Sequence, residues 1–229
     1  MSGPAPARPA QVQGLEAVGL TRSFGGVTAL DGATVRFHHG VVNAVIGPNG
    51  SGKTTLFNCI TGMIKPDAGR ITYRGHDITG AAPHRIARAG IGRSFQLCRV
   101  FPRMTVLDNL LAAVCARGLG AQLASARDRA DIERARGWLA RMGIDHLEAA
   151  EARNLSWGQQ KLLELAGVLM ADPDTILLDE PAGGVNPALI DRIGTLVRQL
   201  NAEGKTFIIV EHNMDMVMRI SDHVVVFDR

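Results

Sequence analysis

Residues 41–55 read VVNAVIGPNGSGKTT, and the predicted fold class follows from this segment. The apolar run at 41–46 predicts a buried strand that breaks at Gly47. A helical pattern follows over residues 55–60, and Gly62 can close that helix. Between strand and helix lies the spacing G-x-x-x-x-G-K-[ST], which is the P-loop pattern in this context. A chance glycine-rich turn is the alternative, and the flanking strand and helix argue against it.

The chemistry of phosphate binding explains the residue types in this loop. Gly47, Gly50 and Gly52 carry no side chains, so successive backbone N–H groups can turn inward around an anion. The N-terminus of the following helix adds its dipole. Lys53 supplies a full positive charge for the outer phosphates, and the Thr54 hydroxyl can bind Mg²⁺. Taken alone, the loop predicts only that the protein binds a nucleoside triphosphate or another phosphate.

Composition limits the architecture and the class of partner. The chain has 229 residues, of which 46% are hydrophobic, enough for one large domain or a core with an inserted subdomain. The net charge is only +3 and the arginines between Arg85 and Arg153 alternate with acids, which favours a solvated helical face over a nucleic-acid stripe. The same charge distribution is also compatible with a face that lies next to a membrane. The spacing of Cys59, Cys98 and Cys115 indicates reduced cytosolic thiols.

Neither a signal peptide nor a membrane-spanning segment is expected. The N-terminus lacks a basic cluster followed by an apolar region, and no apolar run approaches the roughly 20 residues that span a bilayer. Residues 1–13 are rich in Pro and Ala and are expected to be disordered. If the protein serves a membrane process, we expect another chain to do the spanning.

The rest of the chain predicts strands alternating with helices. Besides 41–46, strands are expected at 15–20, 34–37, 70–73, 91–95, 175–178, 207–210 and 224–227. Helices are expected at 106–116 and 132–142, from Ser156 onward, and from Asn186 to Gly204. Near-continuous apolar strands separated by helices indicate a parallel sheet covered on both faces. The helical block between residues 97 and 171 is read as an insertion.

A second set of acidic residues follows the strand predicted at 175–178. In a doubly wound sheet the carboxyl ends of the strands face the ligand crevice. Asp179 is then placed to hold Mg²⁺, directly or through water, and Glu180 could polarise the attacking water. The alternative is an acidic turn before Pro181.

Three weaker signals complete the pattern. Ser156 and Gln159 form a capping box, whose helix N-terminus could be a second anion site or simply a well-capped helix. Gln96 follows the strand at 91–95 and could be an ordinary loop amide. His212 follows the strand at 207–210, at the crevice edge expected for Asp179, although a lone His is usually structural.

The order of these elements resembles the ATP-binding-cassette (ABC) ATPases over residues 15–229. The matching motifs are Walker A (47–54), the Q-loop residue Gln96, the signature LSWGQ (155–159), Walker B ILLDE (176–180), the D-loop (182–186) and the switch residue His212. Order and spacing agree as well as content, so the resemblance is specific. Phe24 matches the aromatic residue that stacks on adenine in this family, with a core Phe at a strand end as the alternative.

The resemblance implies an α/β fold: a RecA-like P-loop NTPase core (14–96 and 172–229) with an inserted α-helical subdomain (97–171). It implies two copies facing head to tail, or pairing with a similar ATPase, with each ATP between residues 47–54 of one chain and 156–159 of the other. The implied catalytic residues are Lys53, Glu180 and His212, and the implied Mg²⁺ residues are Thr54, Gln96 and Asp179. The implied nucleotide contacts are Phe24, Gly47, Pro48, Asn49, Gly50, Ser51, Gly52, Lys53, Thr54, Thr55, Gln96, Ser156, Gly158 and Gln159.

Longer segments narrow the resemblance. GPNGSGKTTLFNCITG, RSFQ, VFPRMTVLDNL, LSWGQQ and DEPAGGVNP look like the ATPase subunits of bacterial branched-chain amino acid importers. The expected function is ATP hydrolysis coupled to transport, peripherally at the cytoplasmic face of the inner membrane. The expected partners are permease subunits, a second ATPase subunit and, indirectly, a substrate-binding receptor, with no nucleic acid. Two alternatives remain for the function: transport of urea, amides or lipopolysaccharide, and a soluble ABC ATPase that takes no part in transport. Assignment as a small-molecule P-loop kinase would not explain LSWGQ or His212.

Three features depart from the family pattern. Trp157 stands where most ABC ATPases have Gly, and Asn186 where many have Asp. The sequence stops at Arg229, where the family normally continues with a short strand and helices.

One further expectation concerns the surface of residues 96–103. Because Val100, Phe101 and Pro102 form an apolar cluster just after Gln96, this surface is predicted to dock a permease helix, with Phe101 as ordinary core the alternative.

Overall fold

The computed structural model of the chain describes residues 14–94, 100–115 and 129–228. The strands are β1 (Leu15–Phe24), β2 (Val27–Phe37), β3 (Val42–Ile46), β4 (Ala68–Tyr73), β5 (His76–Asp77), β6 (Ile91–Arg93), β7 (Thr175–Asp179), β8 (Thr206–Val210) and β9 (His223–Val226). The helices are α1 (Lys53–Ile60), α2 (Pro83–Arg88), α3 (Val106–Cys115), α4 (Arg129–Met142), α5 (Trp157–Met170), α6 (Pro187–Ala202) and α7 (Met214–Ile220). The expectations for residues 1–13, Gln96 and Cys98 fall outside the described residues.

The predicted parallel sheet is confirmed. Its strands follow the order β6-β7-β8-β3-β9, and every neighbouring pair is parallel. Side chains alternate between two cores: Ile176 and Leu178 face a core shared with α3 to α7, while Leu177 faces a core shared with α1. Because both faces are covered, the strands are apolar almost throughout.

A second, antiparallel sheet was not anticipated. Its strand order is β2-β1-β4-β5, and β1 and β2 form a long hairpin through Gly25 and Gly26, which both have positive φ. Leu20, Leu30 and Ile71 from this sheet join the core of α1, so one face is buried and the other faces water. Polar residues alternate with apolar ones in strands that are buried on one face only. The strands of this sheet therefore extend beyond the short apolar runs from which they were predicted.

The helical block packs as a layer of its own. Helices α3, α4 and α5 contact one another, and Leu110, Leu139 and Leu163 share one core with β7, β8 and α6. Ser156 and Gln159 form the predicted capping box at the start of α5, with hydrogen bonds of 3.3 and 2.8 Å. The boundaries of the block at residues 97 and 171 stay a prediction. In the described part of the chain, every helix is too short or too polar to cross a bilayer.

Candidate functional site

The loop between β3 and α1 is shaped so that only glycine fits at its two ends. Gly47 and Gly52 have φ of 150° and 93°. A Cβ at Gly47 would lie 2.2 Å from the carbonyl oxygen of Phe227, and one at Gly52 would lie 2.4 Å from that of Ala29. Gly52 is also the N-cap of α1, and it places no capping side chain over the first backbone N–H groups. The start of α1 therefore keeps hydrogen-bond donors for an anion.

Lys53 lies inside this loop with 6% of its surface exposed. Its Nζ donates hydrogen bonds to the carbonyl oxygens of Gly47 (2.9 Å) and Pro48 (2.7 Å). Burial lowers the pKa of Lys53, and the negative charges of Glu180 and Asp179 oppose this shift. The loop thus holds a buried ammonium group close to both acidic residues, and its side-chain donors are bound to loop carbonyls that a phosphate could replace.

Asp179 ends β7 and is almost fully buried. Its Oδ2 accepts a hydrogen bond of 2.9 Å from Arg93 Nη2, in an ion pair whose side chains are 1% and 8% exposed. Burial raises the pKa of Asp179, while the hydrogen bond and charge of Arg93 oppose the rise. The other oxygen, Oδ1, is buried and has no hydrogen-bond partner among the described residues. A buried carboxylate oxygen without a partner is costly, and a water molecule, a further donor or a cation would satisfy it.

These residues fit a hydrated Mg²⁺ ion bound together with phosphate. Asp179 Oδ1, which has no hydrogen-bond partner in the described part of the chain, offers a hard oxygen ligand, and the exposed Thr54 hydroxyl in the first turn of α1 offers a second one. The described residues hold no cluster of three or more His, Cys, Asp or Glu that would form a closed metal site. Mg²⁺ commonly uses one or two protein ligands plus water and substrate phosphate, so this sparse set suits it.

Glu180 and His212 are brought together at the carboxyl ends of two adjacent strands. Asp179 on β7 is paired in register with Val210 on β8, so the residues that follow them leave the sheet at the same edge. Glu180 Oε1 lies 3.2 Å from His212 Nε2. Glu180 has φ of +50°, in the left-handed region where a non-glycine residue is strained. Such strain persists only where surrounding contacts impose it.

Phe24 lies on the surface and is not a core residue. Phe24 is the last residue of β1 and is 41% exposed. The Arg22 guanidinium carbon lies 4.8 Å from the centroid of its ring. The same hairpin approaches the P-loop, since Ala29 and Leu30 of β2 contact Gly52. An exposed aromatic ring on the hairpin that approaches this loop is compatible with the expected stacking on adenine.

The signature residues contact the turn after Glu180 and not the P-loop in the described structure. In the described structure no hydrogen bond joins residues 156–159 to residues 47–54. Trp157 is 42% exposed, and its Nε1 would lie 3.2 Å from a Cβ at Gly184. Within one chain, the signature therefore lies against the turn that follows Asp179. Gln96, expected near Mg²⁺, lies outside the described residues.

Three charged residues at this site were not predicted from the sequence: Arg93, Lys161 and Glu211. Lys161 and Glu211 are buried, as is the Arg93 side chain. Each one interrupts or ends an apolar segment: Arg93 lies in β6, Lys161 precedes two leucines in α5, and Glu211 follows β8. A charged residue within an apolar run is costly to bury unless it is paired. The position of each charge in or beside an apolar run was therefore the sequence feature that could have identified it.

Three comparisons found known proteins that are similar to this chain. The sequence profile of the family described as "ABC transporter" matches residues 30–183. The high-affinity branched-chain amino acid transport ATP-binding protein BraF of Pseudomonas aeruginosa is 40% identical over 224 residues, covering 94% of this chain and 88% of BraF. The ADP conformation of the ATP-binding cassette MJ1267 superposes with a TM-score of 0.83 at 38% identity, covering 94% of this chain and 87% of that one. The dimeric structure of MJ0796, a bacterial ABC transporter cassette, superposes with a TM-score of 0.82 at 25% identity, covering 93% and 94%.

Proposed function

Because the chain belongs to the ABC transporter family, we propose that it is the ATP-hydrolysing subunit of a branched-chain amino acid importer. The observation that carries this proposal is that β3, β7 and β8 end at one edge of the parallel sheet, where the loop with Lys53, the pair Asp179 and Glu180, and His212 follow them. The cargo assignment rests on the similarity to BraF over most of both chains. The protein acts at the cytoplasmic face of the membrane, bound to permease subunits.

In this function the residues divide the chemistry of phosphoryl transfer. The backbone of residues 47–54 holds the triphosphate, and Lys53 exchanges its two loop carbonyls for phosphate oxygens. Thr54 and Asp179, together with Gln96, would hold Mg²⁺, which would supply positive charge to the transferring phosphoryl group. Glu180 orients and polarises the attacking water, and His212 contacts the γ-phosphate. Charge stabilisation and positioning account for most of the rate in reactions of this type.

A second ATPase subunit completes each site. Within one chain the signature lies against the turn after Asp179, without a hydrogen bond to its own P-loop in the described structure. A partner facing head to tail brings Ser156, Gly158 and Gln159 to the nucleotide, where the start of α5 supplies N–H donors. The MJ0796 cassette forms a dimer, which supports this arrangement. The partner is a second copy or a similar ATPase.

Reconstituted transport tests the proposed function. The purified chain is combined with its two permease subunits in lipid vesicles, and ATP-driven uptake of labelled leucine, isoleucine and valine is measured. Uptake of these amino acids that stops without ATP is the expected result. Uptake of urea or short amides in their place would contradict the cargo assignment, and an inactive ATPase would contradict the function as a whole.

We expect the surface around Phe101 to contact a permease helix. Phe101 is 57% exposed and lines a surface cavity of about 310 Å³ between α3 and α5, together with Val100 and Ala113. An apolar, partly open cavity of this kind suits the apolar face of a helix. A cysteine at position 101 should cross-link to the permease in the assembled complex. An active complex that gives no cross-link would contradict this docking site, and a cysteine at exposed Val27 is the control.

Tryptophan fluorescence should report closure of the nucleotide-bound dimer. Trp157 is the exposed indole at the start of α5, whereas Trp138 is half-buried on α4 beside Arg141. Closure moves the Trp157 ring from water to a covered site, so ATP added to Glu180→Gln should change the emission. Trp157→Phe should remove most of that change. A change that survives in Trp157→Phe but disappears in Trp138→Phe would show that the interface lies elsewhere.

A further inference from the structure

The turn formed by residues 180–185 links Glu180 to α6 and lies between two other parts of the site. Its internal hydrogen bonds run from Gly183 N to Glu180 O (3.0 Å) and from Val185 N to Ala182 O (3.4 Å). Neither bond explains why Glu180 adopts its strained left-handed conformation. Contacts from outside the turn must hold it, since strained backbone persists only when its surroundings impose it.

Lys161 holds the turn from the side of the signature helix. It lies one turn into α5, is buried, and donates hydrogen bonds from Nζ to the carbonyl oxygens of Glu180 (3.1 Å) and Gly183 (2.7 Å). Its Nζ also lies 5.8 Å from the centre of the Trp157 ring. Hydrogen bonds from an ionised donor are about twice as strong as neutral ones, and burial makes them harder to exchange for water.

Glu211 holds the same turn from the side of the switch residue. Its carboxylate is buried, and Oε1 accepts a hydrogen bond of 2.6 Å from the backbone N–H of Ala182. Its other oxygen, Oε2, accepts from the N–H groups of His212 (2.6 Å) and Asn213 (2.9 Å). One carboxylate thus ties the turn to the segment that carries His212.

We propose that Lys161 and Glu211 are positioning residues that clamp turn 180–185 from two different elements and fix Glu180 relative to His212 and the start of α5. The cation binds the carbonyls of the turn and the anion binds its N–H group, so each charge matches the backbone group it meets. This inference rests on the proposed ATPase function. It gives the signature helix a direct route to the catalytic edge, since a displacement of α5 pulls on the Glu180 carbonyl.

Lys161→Met tests the clamp, because it keeps the length of the apolar stem and removes only the donors. We expect kcat for ATP hydrolysis to fall by about 10- to 100-fold, the cost of a small misplacement of a catalytic group. KM should stay within about twofold, because the P-loop contacts are untouched. Lys161→Arg should recover part of the lost kcat. Lys205→Met, which removes a similar hydrogen bond to Asp172 on the surface, is the matched control and should keep wild-type turnover.

A double-mutant cycle distinguishes one shared clamp from two independent effects of Lys161 and Glu211 on kcat. Glu211→Gln keeps one acceptor oxygen but places an amide N–H₂ against backbone N–H donors, so it should also lower kcat. If both residues hold one turn, the double variant should be about as impaired as the worse single variant, and not worse by the product of the two losses. ATP binding and thermal unfolding of each variant are measured alongside, and Glu211→Gln carries the test if Lys161→Met does not fold.

The outcomes are distinct. Unchanged kcat in Lys161→Met and Glu211→Gln, multiplicative losses in the double variant, or a raised KM at unchanged kcat would each overturn the clamp and leave the proposed function standing. A wild-type chain that hydrolyses no ATP, alone or with its permease, would overturn the proposed function and the clamp with it.

Discussion

Glu180→Gln should abolish ATP hydrolysis and leave ATP binding intact. The amide has the shape of the carboxylate, so it can keep the contact with His212, the left-handed backbone and the bonds from Lys161 to the main chain. It cannot polarise the attacking water as a negative charge can. General-base groups contribute about 10²- to 10⁴-fold to rates, so release of phosphate should fall by at least about 100-fold.

The same variant should accumulate a dimer with ATP, because nucleotide held between two chains is not consumed. Size-exclusion chromatography with and without ATP measures this, and phosphate release measures hydrolysis. Glu203→Gln is the matched control, since Glu203 is a surface carboxylate bound to Arg141 and should keep wild-type turnover. A Glu180→Gln chain that hydrolyses ATP normally and stays monomeric would contradict the assignment of Glu180.

Local sequence signals were enough to predict the parallel half of the fold. Glycine spacing after an apolar strand located the loop before Lys53, and a strand ending in two acids located Asp179 and Glu180. Both depend on residues adjacent in the chain, where propensity and burial act together. The fold class is confirmed by the match to ABC cassettes over most of the chain. The roles of the site residues stay predictions.

Contacts between distant residues could not be predicted in the same way. The antiparallel sheet pairs β1 with β4, which is about 50 residues away by register, such as Val18 with Arg70. The partner of Asp179 is Arg93, 86 residues earlier, and the turn after Glu180 is held by Lys161 and Glu211 from two other elements. Nothing in a local window identifies a partner, because such pairs are set by the packing of whole elements.

Lys53→Ala should weaken ATP binding and remove turnover. Lys53 is buried in the loop, and its ammonium is bound to the carbonyl oxygens of Gly47 and Pro48. Alanine removes a full positive charge from the phosphate site and leaves both carbonyls without that donor. Hydrogen bonds to charged groups are worth about 1.5–3 kcal/mol, so affinity for ATP should fall by roughly 10- to 150-fold.

The measurement must separate loss of the ammonium from loss of the fold. Titration with a fluorescent ATP analogue gives the affinity, phosphate release gives the turnover, and thermal unfolding shows whether the loop still packs. Lys205→Ala removes an ammonium bound to Asp172 on the surface and should leave all three unchanged. A folded Lys53→Ala chain with wild-type turnover would show that the loop does not bind the reacting phosphates. The position of Asp179 and Glu180 would then need another explanation, because β7 ends at the same edge of the sheet as β3, which leads into the loop.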